Sequence, residues 1–527
     1  MKLYRAFATV GGLTMLSRVL GFTRDILIAN VLGTGLVAEA FFAAFRLPNL
    51  FRRLFGEGAF NSAFVPLFAK RLEGDGSDAA RRFAEEALAA LIWALIVFSA
   101  LAELAMPWLI HVIAPGFASD PEKFGLTVLL TRITFPYLLC MSVVALLSGL
   151  LNALDRFMAA AAAPVLLNVV LISVISIAMA SGLGRSPLAG TVLAWGVAIA
   201  GGLQLLMLAL AAHRAGMGLA ITRPKLTPDV RRLIQLGIPG IIAGGIIQIN
   251  IVIGTVIASL QDGAIAYLYY ADRIYQLPLG VVGIAIGVVL LPDVSRQLRA
   301  GNHAGVTESQ NRSLEFSLLL TLPAAVALFM IPEPIIRVLF ERGAFGAGDT
   351  RAVSWALAAF AVGLPSFVLV KVFSPAYFAR EDTRTPMIYA GISMVVNVIG
   401  SLVLFYSLPR FGVMAHIGIA IATSLAGWVN AAMLWATLVR RDHFRIDRRL
   451  ARTVALIGLS SAAMGLVIWP AAAAMERLFD PGGGFLVQTG ALAGLVTLGL
   501  AVFALSAQFT GAVDLRAMAR GVGAARK

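Results

Sequence analysis

The sequence predicts an all-α polytopic membrane protein with 14 transmembrane helices. Two parallel-related six-helix bundles surround a central cavity, and a C-terminal helix pair is added. Composition is the first observation: 59% of the 527 residues are hydrophobic, only 13% are charged, and the mean hydropathy is +0.87. No soluble globular domain has such a balance. The second is the recurrence, along the whole chain, of apolar segments of about 20 residues or more, each long enough to cross roughly 30 Å of hydrocarbon as a helix. The third is a faint internal repeat at an offset of roughly 228 residues.

The first span, 4–32, follows Lys2 and Arg5 as a signal peptide would, but it runs past the usual length without a cleavage site and reads as a retained helix. The second, 36–69, is apolar yet holds Arg46, Arg52, Arg53 and Glu57. Spans 83–113, 124–151, 157–181 and 187–212 complete a first bundle within 1–215. The only cysteine, Cys140, falls inside the fourth span, so no intrachain disulfide forms. Spans 231–260, 263–295, 314–340, 351–379, 386–408 and 412–439 make a second bundle within 216–445. Spans 450–475 and 484–510, with a basic tail, form an added pair within 446–527. In the seventh span, "GIPG" at 237–240 is followed by Gly244 and Gly245. Pro239, Gly240, Gly244 and Gly245 are therefore hinge candidates, with close packing through small residues as the alternative.

The net charge of +14 reports orientation rather than nucleic-acid binding, because Lys and Arg accumulate in cytoplasmic loops. With both termini inside, inner segments hold 27 basic residues and outer loops 7. The other 8 of the 42 lie within spans, Arg132 and Lys371 among them as structural charges. An even number of spans with cytoplasmic termini follows. The five histidines are scattered without metal-ligand spacing, so no metal site is expected.

The repeat matches "RLP" at 46–48 with "QLP" at 276–278, "VPLFAKRL" at 65–72 with "LPDVSRQL" at 291–298, and "NVV" at 168–170 with "NVI" at 397–399. Six helices per copy is even, so both copies enter from one side and are related by an axis along the membrane normal, a transporter architecture.

A charge inside a membrane span costs roughly 2.5 to 3.5 kcal/mol on insertion scales, so several together require a wet or paired setting. On the first span Ser17, Gly21 and Arg24 share one helical stripe, and Arg18 and Asp25 share the next. On the second, Glu39, Arg46 and Arg53 recur at sevenfold spacing, with Glu57 a turn below Arg53. "YYADRIYQLP" at 269–278 sets Asp272 and Arg273 midway through the eighth span. All three spans can aim cations at one space, and guanidinium groups suit bidentate recognition of phosphate oxygens. Simpler readings stand beside this one. Arg52 and Arg53 can snorkel to the inner surface, and Arg24 with Asp25, or Arg53 with Glu57, can form ion pairs that serve packing.

Three stretches, "SRVLGFTRD" at 17–25, "EAFFAAFRLPNLFRRLFGEGAFNSAFVPLFA" at 39–69 and "YYADRIYQLPLGVVGIAIGVVLLP" at 269–292, strongly resemble the MurJ/MviN lipid II flippases of bacteria. The resemblance covers essentially the whole chain. It implies a fold of the multidrug/oligosaccharidyl-lipid/polysaccharide exporter superfamily in the bacterial cytoplasmic (inner) membrane. It further implies transport of an undecaprenyl-diphosphate-linked peptidoglycan precursor to the outer leaflet, with membrane lipids and the cell-wall synthesis machinery as partners. By motif, Arg18, Arg24, Arg52, Arg53 and Arg273 resemble the family's essential cavity arginines, and Asp272 the acid beside the last. Ser17, Arg46, Asn49 and Glu57 lie within the same motifs. Glu39 stands where the family often has Asp, which leaves its partner open. The final helix pair resembles one that lines a lipid-tail groove.

A cation or drug antiporter is disfavoured because an arginine-rich cavity repels cations. A flippase for another undecaprenyl-linked saccharide shares the diphosphate and stays open. A polytopic enzyme acting on lipid-linked sugars lacks support, since no acid pair, nucleophile constellation or phosphate-cradling glycine loop lies outside the membrane, and no catalytic residue is assigned. No cofactor is expected. Asn250, Asn397 and Thr423 can supply a weak neutral oxygen site for sodium, but the charge sum favours membrane potential as the driving force. Arg18, Arg24, Arg46, Arg52, Arg53 and Arg273 against Asp25, Glu39, Glu57 and Asp272 leave +2, opposite to a diphosphate.

Overall fold

The computed structural model describes residues 2–53, 60–480 and 484–512. Helix accounts for 86%, and no strand occurs among the described residues. The order is α1 (Lys2–Leu32), α2 (Leu36–Arg52), α3 (Phe60–Gly74), α4 (Ser77–Leu104), α5 (Met106–Ile113), α6 (Pro121–Thr134), α7 (Tyr137–Ala153), α8 (Phe157–Ala180) and α9 (Pro187–Arg214). Then follow α10 (Pro228–Ala258), α11 (Ala264–Arg299), α12 (His303–Met330), α13 (Pro332–Phe340), α14 (Ala347–Phe378), α15 (Arg384–Ser407), α16 (Ala415–Arg440), α17 (Arg448–Ala474) and α18 (Phe485–Thr510).

Three predicted single spans are each two helices, and a proline marks every break. Pro107 opens α5 after Ala105, Pro136 caps α7, and Pro332 opens α13 after Ile331. A proline lacks the N–H that an interior helical position must donate, but fits where a helix begins. The second predicted span is covered by α2, which runs through Pro48, and by α3, on either side of residues 54–59.

Among the described residues, ten helical segments are long and apolar enough to cross a membrane. The four predicted spans not among them are 4–32, 36–69, 231–260 and 263–295. Each of these four contains residues or side chains outside the described set.

The chain divides into two compact units, one of Met1–Ala266 with Arg342–Phe345 and one of Tyr267–Glu341 with Gly346–Lys527. Helix α10 belongs to the first unit, where it packs on α3, α4 and α5, although the sequence repeat begins its second copy at 216. In that unit α1 lies along α8, α8 along α9, and α2 along α6. Phe64 stacks on Phe68 and Phe83 at 5.6 and 5.7 Å between ring centroids. At the end of α1, Gly33 adopts a positive φ of 63°, and a side chain there would lie 2.5 Å from the Ala344 carbonyl oxygen.

In the second unit α14, α15 and α16 pack closely through small residues. A Cβ on Gly363 would lie 2.8 Å from the Ser424 Cα, and one on Gly418 2.8 Å from the Leu404 carbonyl carbon. In a bilayer helices gain little from apolar burial against each other, so close backbone approach of this kind supplies the contact. The Tyr377 hydroxyl donates to the Leu434 carbonyl at 2.6 Å and ties α14 to α16.

Candidate functional site

Helix α1 presents its charges in two ways. Arg24 is buried, with Nε and Nη2 donating to Asp25 Oδ1 at 3.0 and 2.7 Å and Nη1 donating to Asn168 Oδ1 of α8 at 3.0 Å. The Asn168 amide in turn donates to the Ser17 carbonyl at 2.9 Å and to its hydroxyl at 3.3 Å. A Cβ on Gly21 would sit 3.4 Å from the same amide. The stripe of Ser17, Gly21 and Arg24 thus meets a single asparagine. Arg18 differs: it is exposed and makes no hydrogen bond or ion pair among the described residues.

Helix α2 carries the second set. Arg46 is half-buried and donates through Nη1 to the Thr255 hydroxyl of α10. Arg52 donates through Nε to Asn49 Oδ1 at 3.2 Å, and Asn49 donates to the Phe45 carbonyl at 3.1 Å, so Asn49 orients that guanidinium. Arg53 is exposed at the end of the helix. Glu57 lies outside the described residues.

Glu39 turns to a lysine. Its Oε2 accepts from Lys123 Nζ of α6, and its Oε1 accepts from the Ile265 amide at 3.1 Å. Lys123 also donates to Asp262 Oδ1 at 3.0 Å and lies 4.3 Å from the Phe117 ring centroid. Both partners of the Glu39–Lys123 pair are almost fully buried, at 1% and 3% exposure. Counting Lys123 as a loop charge had hidden this pair.

In the second unit, Arg273 donates through Nη2 to the Tyr269 hydroxyl at 2.9 Å, with the guanidinium 4.8 Å from that ring's centroid. Asp272 accepts from Gln276 one turn on. Of the three neutral oxygen residues, Thr423 donates to Asn397 Oδ1 at 3.2 Å, and both belong to the second unit, whereas Asn250 lies on α10 in the first. Helix α10 is unbroken from Pro228 to Ala258 through the proposed hinge. A Cβ on Gly245 would meet nothing within 4 Å, so close packing does not explain that glycine. The side chains at Pro239, Gly240 and Gly244 lie outside the described set.

Asn168, Thr255, Lys123 and Tyr269 are the partners of Arg24, Arg46, Glu39 and Arg273 that sequence reasoning missed. Asn168 had a signal, since a lone amide in an otherwise apolar span must find a polar partner.

A helical protein with ten described segments long and apolar enough to cross a membrane has the build of a polytopic membrane transporter. The comparisons with known proteins make this specific. Residues 28–489 match the family model described as "Lipid II flippase MurJ". The chain is 50% identical over 524 residues to the "Probable lipid II flippase MurJ" of Rhizobium tropici, covering 99% of this chain and 97% of that one. It is 34% identical over 475 residues to the "Lipid II flippase MurJ" of Burkholderia cenocepacia, covering 89% and 90%. A solved lipid II flippase MurJ in an inward closed conformation superposes with a TM-score of 0.76 at 26% identity, covering 95% of this chain and 98% of that one. A multidrug transporter of the MATE family in the MOP superfamily shares the fold, with a TM-score of 0.66 at 14% identity over 82% of this chain and 98% of that one. The chain belongs to the lipid II flippase MurJ family.

Proposed function

We propose that this chain flips lipid II from the cytoplasmic to the outer leaflet by alternating access, binding the diphosphate through Arg18, Arg24, Arg46, Arg52, Arg53 and Arg273. Family membership supports the substrate. The observation that carries the binding role is the contrast on α1: Arg18 is exposed with no bond among the described residues, while Arg24, about 9 Å along the same helix, is held in fixed geometry by Asp25 and Asn168. A pre-oriented guanidinium loses little freedom when it binds a forked oxyanion.

In this reading the chain crosses the bacterial inner membrane 14 times with both termini cytoplasmic, so that Thr34 and Asp262 face outward and Asp75 and Arg445 inward. Helix α10 bends at residues 237–245 as the carrier changes sides. Membrane potential returns the empty cationic carrier, at up to about 2.3 kcal/mol per charge per 100 mV. Sodium held by Asn397 and Thr423 is the alternative coupling. Another undecaprenyl-diphosphate-linked saccharide is the second reading for the substrate, because the diphosphate is common to both.

Complementation tests the assignment. The gene should restore growth to bacteria depleted of their own lipid II flippase, and failure despite normal membrane insertion would favour the second saccharide.

A further inference from the structure

The turn that joins α10 to α11 is fastened at three points within the first unit. Gly116 N donates to Ser259 Oγ at 3.1 Å, and a Cβ on Gly116 would lie 2.0 Å from the Ser259 carbonyl oxygen, so the two backbones touch. Lys123 Nζ donates to Asp262 Oδ1, and Glu39 Oε1 accepts from the Ile265 amide. Lys123 joins the last two points because it also donates to Glu39. Below this level Arg46, seven residues after Glu39 on α2, donates to Thr255 of α10.

We propose that Lys123 is a positioning residue for transport: it latches the outer end of α10 to α2 and α6 and must release that end when the outer side of the carrier opens. The geometry suits a latch better than a permanent tie. Glu39 and Lys123 are sealed from solvent, but the Asp262 carboxylate is fully exposed at its side chain. Water can therefore compete for one arm only, and the latch opens from the Asp262 side. Once that arm is lost, the Glu39 bond to the Ile265 amide and the Gly116 bond to Ser259 are the remaining holds on the turn. Through Glu39, Lys123 also fixes the height of α2 against α10, and with it the contact of Arg46 with Thr255.

The functional arm of this inference rests on the flippase reading, but its structural arm does not. After Cys140→Ser, a cysteine at Ala264, which is buried at the end of the turn, is labelled in intact cells with an impermeant thiol reagent, and lipid II flipping is measured in proteoliposomes. Lys123→Met should raise the labelling rate about tenfold and lower flipping by a similar factor, and Lys123→Arg should restore both. Asp262→Asn, which leaves the buried pair intact, should raise labelling several-fold and serves as the test should Lys123→Met fail to accumulate. Labelling of both variants at the parent rate would overturn the latch. Raised labelling with unchanged flipping would overturn the positioning role while leaving the flippase assignment untouched.

Discussion

Arg24 of α1 donates to Asn168 of α8 at 3.0 Å, and Asn168 donates back to the Ser17 carbonyl two turns earlier in α1 at 2.9 Å. One amide thus bridges two helices and sets the direction of a buried guanidinium. Replacing it with Leu should remove the bond from Arg24 Nη1 within a buried site, a loss of about 1–3 kcal/mol. Asn168→Leu should lower both thermal stability and flipping, whereas Asn168→Asp, which keeps an acceptor for Arg24, should keep more of each. Melting of the purified variants together with a flipping assay checks this.

Two glycines of similar appearance in the sequence should respond oppositely to alanine. Gly245 faces open space, so Gly245→Ala should raise stability by up to about 1 kcal/mol through helix propensity and, if α10 bends there, slow transport. Gly363 lies against the Ser424 backbone, so Gly363→Ala should destabilise by about 1–3 kcal/mol through overpacking. Melting temperatures and transport rates of the two variants separate these outcomes.

In the loop before α15, the Asp382 carboxylate accepts from the Thr385 hydroxyl and amide at 2.7 and 2.9 Å and from Arg441 at 2.6 Å. Chiefly through the Thr385 bonds, its pKa is lowered to about 2. A carboxylate that is more acidic when folded stabilises the fold above its unfolded pKa of about 3.9 and loses that contribution as pH falls through its folded value. The pair is partly exposed, so the contribution is at most about 1 kcal/mol. Asp382→Asn should therefore melt below the parent from pH 7 down to about 4, and the gap should narrow as pH approaches 2. A gap that widens on acidification would contradict the assignment.

Much of this architecture was legible because membrane spans follow from composition over about 20 residues, and the ends of α8, α15 and α18 fall within a residue or two of the sequence reading. The breaks at Ala105, Pro136 and Ile331 were not legible, because a single proline inside an apolar run permits either a kink or a new helix. The arginines stood out because charge in a span is costly. Their partners did not, since Arg24 with Asn168 and Arg46 with Thr255 depend on which helices lie side by side, and no spacing within one helix encodes that. Lys123 was hidden for a different reason: at a helix start near the membrane edge, a lysine that snorkels and a lysine that seals a buried acid look alike in sequence.

The central claim is that arginines of this chain carry the diphosphate of a lipid across the bilayer, and reconstituted flipping tests it most directly. The purified protein in liposomes should move lipid II to the far leaflet. Arg18→Ala, Arg24→Ala and Arg273→Ala should each reduce that rate at least tenfold with the protein still folded, and lysine at the same positions should restore only part of it, because a point charge lacks the forked geometry. Flipping at the parent rate by all three alanine variants would contradict the account.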